Sequence, residues 1–191
     1  MIKVLIGDGG HAREVMAQMG VKLDRFVDDE YVSNDTFPLS KLDPEKHEVM
    51  IAIADSKSRF DISKRLPKGI KFFTFVHPTS LIMDNVEIGE GSFIGCYSIL
   101  TTNIKIGAHS ILNRSNHIGH DCRIGDFFSA MPGVIVSGNV TIQDLVYIGT
   151  NSSIKEKIKI CGLTTIGLNS GVVKDINKSG VYVGTPAINI K

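Results

Sequence analysis

His120 and Asp121 are adjacent in the stretch Asn116-His117-Ile118-Gly119-His120-Asp121-Cys122. An imidazole beside a carboxylate can serve as a general base, because the acid fixes the tautomer and raises the basicity of the ring. Gly138 lies 18 residues further on. A free backbone N–H there can face a developing oxyanion. An exposed histidine beside an accidental acid is the plainer alternative. His117 and His120 can also be read as zinc ligands completed by a neighbouring subunit. His109, the other histidine of this region, has no spacing that recommends it as the third ligand, so no metal is expected.

The elements that position these residues follow from a period. Ile82, Ile88, Ile94, Leu100, Ile106, Leu112, Ile118, Ile124, Ala130, Val136, Ile142, Ile148, Ile154, Ile160, Ile166 and Val172 recur every sixth residue, 16 positions without a slip. A helix repeats near 3.6 and a half-buried strand near 2, so neither explains a sustained period of six. Strict hexads indicate a solenoid of β-helix type. Glycine often follows the aliphatic residue, as at Gly89, Gly107, Gly119 and Gly149, where a tight corner needs unusual dihedrals. Small or β-branched residues such as Ser92, Ser110, Cys122 and Val134 stand two positions before it, and residues two apart on a strand share a face. Each hexad is therefore a short strand plus a corner. Three hexads close a triangular coil of about 18 residues, and about five coils stack. His120 then falls on a corner with Gly138 one coil away, while Thr150 and Leu168 share a second corner. No long loop is expected between residues 82 and 172.

Bulk properties narrow the function class. The chain has 191 residues, with 21 basic and 20 acidic side chains and a formal net charge of +1. Nothing in that balance suggests a surface for nucleic acid or anionic membrane. No apolar run is long enough for a transmembrane helix, and Met1 to Gly10 lacks the form of a signal peptide. Cys96, Cys122 and Cys161 are odd in number and without metal-ligand spacing. A reduced, cytoplasmic protein is expected, with Cys122 packed inward rather than acting as a nucleophile.

The first 75 residues follow another pattern. Ile2 to Ile6 is a short apolar run ending at Gly7-Asp8-Gly9-Gly10-His11-Ala12. A helix carrying Val15, Met16 and Met19 on one face follows, closed by Gly20. Val27 leads into Asp28-Asp29. The run Val49 to Ala54 precedes Asp55-Ser56, which can cap a second helix through Leu66. Ile70 to Val76 is the last run, and His77-Pro78 marks the junction. Strands alternating with helices imply a small parallel sheet. Gly7-x-Gly9-x-x-Ala12 after a strand fits a turn that brings backbone amides to phosphate, with Asp28 and Asp29 placed to meet a ribose or base. A turn that only packs strand on helix is the alternative. The segment has room for about one mononucleotide half, which favours a nucleotide or nucleotide-sugar over a dinucleotide. The fold class is thus α/β plus all-β: a Rossmann-like parallel α/β domain (1–75), a parallel β-helix (76–178) and a tail (179–191).

Both halves together resemble the sugar O- and N-acyltransferases of the sialic acid O-acetyltransferase type, the NeuD and PglD group of the hexapeptide-repeat transferases. The resemblance rests on Gly7-Asp8-Gly9-Gly10-His11, Val27-Asp28-Asp29, Ile51-Ala52-Ile53-Ala54, Val76-His77-Pro78, Gly119-His120-Asp121-Cys122-Arg123-Ile124-Gly125, Ser137-Gly138-Asn139-Val140 and Gly180-Val181-Tyr182-Val183-Gly184-Thr185-Pro186-Ala187. It implies a left-handed β-helix, a homotrimer with its active site between subunits, acetyl-CoA as co-substrate and a nucleotide-activated amino sugar as acceptor. Under it, Gly9, Gly10, His11, Asp28, Asp29 and Ala54 hold the nucleotide-sugar and Asn113 sits near the sugar. His120 is the base, Asp121 its orienting acid and Gly138 the oxyanion donor. Ser129, Gly138, Thr150 and Leu168 meet acetyl-CoA. Some relatives have histidine where Ser129 stands. The expected reaction is N-acetylation of a nucleotide-linked 4-amino-4,6-dideoxy sugar. O-acetylation of a sugar such as sialic acid is the second reading, and a non-catalytic nucleotide-sugar-binding trimer the third. The base, whether in a UDP-, dTDP-, GDP- or CMP-sugar, is left open.

Overall fold

The computed structural model describes residues Met1–Lys191. Its N-terminal part is a five-stranded, all-parallel sheet built from β1 (Ile2–Ile6), β2 (Asp24–Val27), β3 (Phe37–Pro38), β4 (His47–Ile51) and β5 (Lys71–Phe72), in the order β3-β2-β1-β4-β5. Helix α1 (Gly10–Met19) follows β1 and ends at Gly20, whose left-handed conformation (φ 68°) lets its N–H return to the last turn. Helix α2 (Ser56–Ser63) follows β4, and the Asp55 carboxylate accepts the Ser58 N–H at 2.7 Å. It stops a turn before the expected Leu66. No helix is long and apolar enough to cross a membrane.

The rest is a three-sided prism. Two-residue strands, occasionally three, stack in parallel with partners 18 positions apart, such as His117 with Ile135. Face one holds Phe75–Val76, Phe93–Ile94, Ile111–Leu112, Ser129–Ala130, Tyr147–Ile148 and Thr165–Ile166, extended by Val181–Val183 and Ile188–Asn189. Face two runs from Leu81–Ile82 through His117–Ile118 to Gly171–Val172, and face three from Val86–Ile88 through Arg123–Ile124 to Lys159–Ile160. The inward aliphatic column forms one core of 22 buried residues with Cys122, Phe128, Val134, Val140 and Val146 between its members. No long loop interrupts the coils. The apolar run Ile70 to Val76 divides: Lys71–Phe72 joins the N-terminal sheet, while Phe75–Val76 already pairs with Phe93–Ile94 in the prism. The prism therefore starts at Phe75, ahead of His77-Pro78.

Face one is not open to water. Phe93, Ile111 and Ser129 project from it and are at most 2% exposed. Phe93 and Ile111 share a core with Leu5, Ala12, Val15, Met50 and Phe73 of the N-terminal part. Arg59 of α2 is fully buried and has no carboxylate partner. Its guanidinium donates instead to the carbonyls of His109 (2.8 Å), Phe127 and Phe128 (both 3.0 Å), to Ile53 and Ala54, and to Ser129 Oγ. Burial pulls Arg59 down to about 9, still protonated at neutral pH. A planar cation with five donors suits a ring of carbonyl oxygens from two successive coils and the sheet edge. Face three, in contrast, presents Glu87, Lys105, Arg123, Thr141 and Lys159 to solvent. Face two presents Leu81, Ile99 and Ile135, with Leu81 and Ile135 about half exposed at 51% and 47%.

Two histidines lie in the same buried contact layer. His109 stacks on Phe127 at 4.8 Å and meets Phe72 edge-on, and His11 meets Phe93 edge-on at 5.6 Å. Burial pulls each to about 4 from 6.5.

Two outcomes follow from this layer. Arg59→Ala should cost about 4 kcal/mol, because six acceptors lose their donor, lowering the melting temperature by roughly 8–16 °C; calorimetry of the two proteins checks this. The histidines are neutral when folded and take a proton more readily when unfolded, so stability is complete above pH 6.5 and erodes as pH falls toward 4. Each contributes on the order of 1–3 kcal/mol to that loss. Melting curves at pH 7.5 and 4.5 should show a smaller drop for His109→Asn, which tolerates the left-handed backbone there; an identical drop would contradict the assignment.

Candidate active site

The vertex between faces two and three carries the imidazole. Gly119, His120 and Asp121 form one corner, and Ser137, Gly138 and Asn139 form the next. Asp121 adopts the left-handed conformation (φ 60°), which an Asp tolerates better than most residues. This turns its carboxylate beside the preceding ring, and His120 Nδ1 lies 2.7 Å from Asp121 Oδ2. The side chains are 58% and 43% exposed. The hydrogen bond from His120, and a second from Asn103, hold the Asp121 carboxyl below the usual range. With Nδ1 facing a carboxylate, Nε2 carries the free lone pair.

Gly138 lies under that ring. A Cβ built there would sit 2.5 Å from His120 Nε2, so only glycine admits the imidazole in this position. Gly138 is itself buried, and its N–H donates to no protein acceptor. Cys122 points into the core, with burial raising its thiol and Sγ 3.2 Å from the Ser137 carbonyl. No group of three His, Cys, Asp or Glu side chains is arranged to hold a metal ion.

A second site lies at the carboxyl ends of β1, β2 and β4, where strand order reverses, the position at which open parallel sheets bind ligands. A cleft of about 360 Å³ is lined there by Gly7, Asp8, Gly9, Val27, Asp28, Tyr31, Ile53 and neighbours. Its apolar walls and glycine turn suit a flat base and an adjoining phosphate. Arg65 forks onto Asp28, and Arg25 pairs with Asp8. Of the expected nucleotide-sugar residues, Gly9 and Asp28 line this cleft, with Gly10 exposed beside it. Asp29 turns away, accepting the Ser40 N–H, and that hydrogen bond lowers its carboxyl. Ala54 gives its carbonyl to Ser129 and Arg59.

His11 and Asn113 occur together elsewhere, at the vertex between faces one and two. Asn113 Nδ2 donates to Glu14 Oε2 at 3.3 Å, Glu14 pairs with Arg114, and His11 Nδ1 is 3.7 Å from Glu14. Neither ring nitrogen of His11 has a hydrogen-bond partner. Thr150 and Leu168 stand exposed further along this vertex, and neither N–H is used by the protein. Ser129 lies on face one, not at a vertex. The hydroxyl donates to the Ala54 carbonyl at 2.7 Å and accepts from Ser56 and Arg59, which uses its one donor and both lone pairs. It is fully buried beneath α2, so its side chain is closed to a cofactor.

Sequence reasoning missed Glu14, Tyr31, Arg59 and Arg65. Arg65 had a signal in its basic charge near the end of a helix after β4. The others depend on contacts far away in sequence.

No family model matches the chain. It is 36% identical over 109 residues to the GDP-perosamine N-acetyltransferase of Escherichia coli O157:H7, a match covering 56% of this chain and 49% of that protein. The chain thus spans about half the length of this curated relative. WeeI from Acinetobacter baumannii AYE matches over 100% of both chains, with a TM-score of 0.88 and 30% identity. The chain belongs to the hexapeptide-repeat acyltransferase superfamily. The chain also shares the fold of a perosamine N-acetyltransferase variant from Caulobacter crescentus, solved with CoA and GDP-perosamine. That match covers 100% of this chain and 97% of the other, with a TM-score of 0.79 and 21% identity.

Gly138→Ala should displace the His120 ring while leaving the fold intact, since the Gly138 backbone is not left-handed. Turnover should fall about 10²-fold, as expected for an ångström-scale misplacement of a reacting group, with a melting temperature near that of the unaltered protein. Unchanged turnover would show that the ring does not work from this position.

Proposed function

We propose that the acyltransferase moves the acetyl group of acetyl-CoA to the amino group of a nucleotide-linked 4-amino-4,6-dideoxy sugar, as a cytoplasmic member of the sialic acid O-acetyltransferase type. One observation carries the reading: the exposed His120 ring, held through Nδ1 by Asp121, with Nε2 over Gly138. The similarity in sequence to the GDP-perosamine N-acetyltransferase of Escherichia coli O157:H7 supports the substrate class. Residues up to Phe73 then form the Rossmann-like, nucleotide-binding domain, and the prism is the left-handed acyltransferase body.

The location of these groups argues for a trimer. The N-terminal part covers face one, whereas His120 stands on the vertex opposite that face. The nucleotide cleft of one chain therefore does not serve the base of the same chain. Face two separates the His120 vertex from the vertex of Asn113, Thr150 and Leu168, and it exposes Leu81, Ile99 and Ile135. Packing three such faces around an axis sets the His120 vertex of one chain against the Asn113 vertex of the next. Thr150 and Leu168 then lie along the cleft for an extended thioester donor, their unpaired N–H groups facing it.

The chemistry follows from proton bookkeeping. Asp121 keeps the proton on His120 Nδ1. Nε2 accepts a proton from the sugar amine as its nitrogen attacks the thioester carbon. The Gly138 N–H donates to the oxyanion. The C–N bond forms, the C–S bond breaks, and the departing sulfur takes the proton back from Nε2. No protein nucleophile is needed, in keeping with the inward Cys122.

A free-thiol assay with acetyl-CoA and UDP-, dTDP-, GDP- and CMP-linked 4-amino-4,6-dideoxy sugars tests the proposal. At least one sugar should release thiol, and His120→Ala should lower that rate by about 10²–10⁴. A folded His120→Ala protein of full activity would remove the base assignment; sugar binding without thiol release from any of them would favour a binding scaffold.

A further inference from the structure

Asp121 is the end of a ladder. Asn85, Asn103 and Asp121 occupy the same corner of three successive coils, all left-handed, with φ 58°, 57° and 60°. Asn85 Nδ2 donates to Asn103 Oδ1 at 3.2 Å, and Asn103 Nδ2 donates to Asp121 Oδ1 at 3.3 Å. The direction of this chain is fixed by its end. An ionised carboxylate only accepts, so Asn103 must offer its amide nitrogen and turn its oxygen toward Asn85. Arg123 holds the corner from the side, donating through Nη1 to the Asn103 carbonyl at 2.6 Å.

We propose that Asn103 is a positioning residue for His120, acting through Asp121. Its amide occupies Oδ1 and leaves Oδ2 to His120 Nδ1. Without it, the exposed carboxylate can rotate about its own axis, and the imidazole loses the partner that keeps the proton on Nδ1. Asn85 stands one coil further from the pair and makes the same kind of bond without touching Asp121. The catalytic meaning of this ladder rests on His120 being the base; the ladder's effect on the imidazole does not.

The test uses glycine, which adopts the left-handed corner without strain and removes only the amide. Full-length protein with ¹⁵N-labelled histidine, with His120 identified by loss of its signals in His120→Gln, reports the tautomer directly. The unaltered protein should show mostly Nδ1–H with a bare Nε2. Asn103→Gly should lower the ratio of that tautomer to the other at least about threefold, while Asn85→Gly leaves it as it was. With acetyl-CoA and GDP-perosamine as the pair assayed, Asn103→Gly should lower kcat about tenfold with both KM values within about twofold. In an Asp121→Asn background it should add nothing, since coupled residues are not additive. An unchanged tautomer ratio in Asn103→Gly, or an equal change in Asn85→Gly, overturns the positioning role. Full turnover by His120→Ala overturns the base instead, whatever the tautomer ratio shows.

Discussion

Residue i must lie over residue i+18. This register is the constraint on which the prism depends, because two-residue strands are too short to hold a sheet unless every strand finds its partner in the next coil. It costs backbone freedom at each vertex. Many corner residues that are not glycine adopt the left-handed conformation, among them His109, Phe127, Leu145 and Lys157, at roughly 1–2 kcal/mol each. The same register offsets that cost. The N–H of a left-handed corner residue donates to a carbonyl of the neighbouring coil, as Asp121 to Thr102 at 3.0 Å and Asn139 to His120 at 2.8 Å. Strain at one coil is thus held by hydrogen bonds from the next, and the inward columns supply the apolar burial that makes stacking favourable.

The register also turns the surface into columns with separate duties. On face three the column is charged and faces water. On face two it mixes Leu81, Ile99 and Ile135 with His117, Ser153 and Gly171, and no part of the chain covers Leu81 or Ile135. On face one it is covered by the N-terminal sheet, and Arg59 ties that cover to the vertex between faces three and one. The guanidinium reaches carbonyls from the 109 and 127–128 corners at once. The cover is therefore bound to backbone as well as to the side chains of Asn113, Arg114 and Ser129, and the cleft at the ends of β1, β2 and β4 is tied to the prism.

The repeat was legible because its signal is local: each aliphatic position is six residues from the next, and those from Ile94 to Val172 are all buried in the core. Helix α1 was legible from Gly20 and its apolar spacing. The run Ile70 to Val76 misled because an apolar stretch does not state which sheet receives it. Lys71–Phe72 and Phe75–Val76 part only through their pairing partners. At Ser129 the expected acetyl-CoA contact came from the resemblance alone, and only the three-dimensional packing puts α2 above it. Arg59 left no local trace, because a basic residue in a short polar helix ordinarily faces water.

In the proposed function, a base at a vertex must satisfy two opposed demands: it has to be exposed to two substrates, and it has to be still. Exposed histidines ordinarily lack the packing that fixes a ring. Here the ring is steadied by groups that stacking brings to it without burying it. Gly138, one coil on, provides a bed with no side chain in the way, and Asp121, the neighbouring corner residue, holds Nδ1. The carboxylate is held in turn by Asn103, one coil back. The solenoid thus supplies at its surface an order that other folds achieve by burial, and the imidazole keeps its access to solvent.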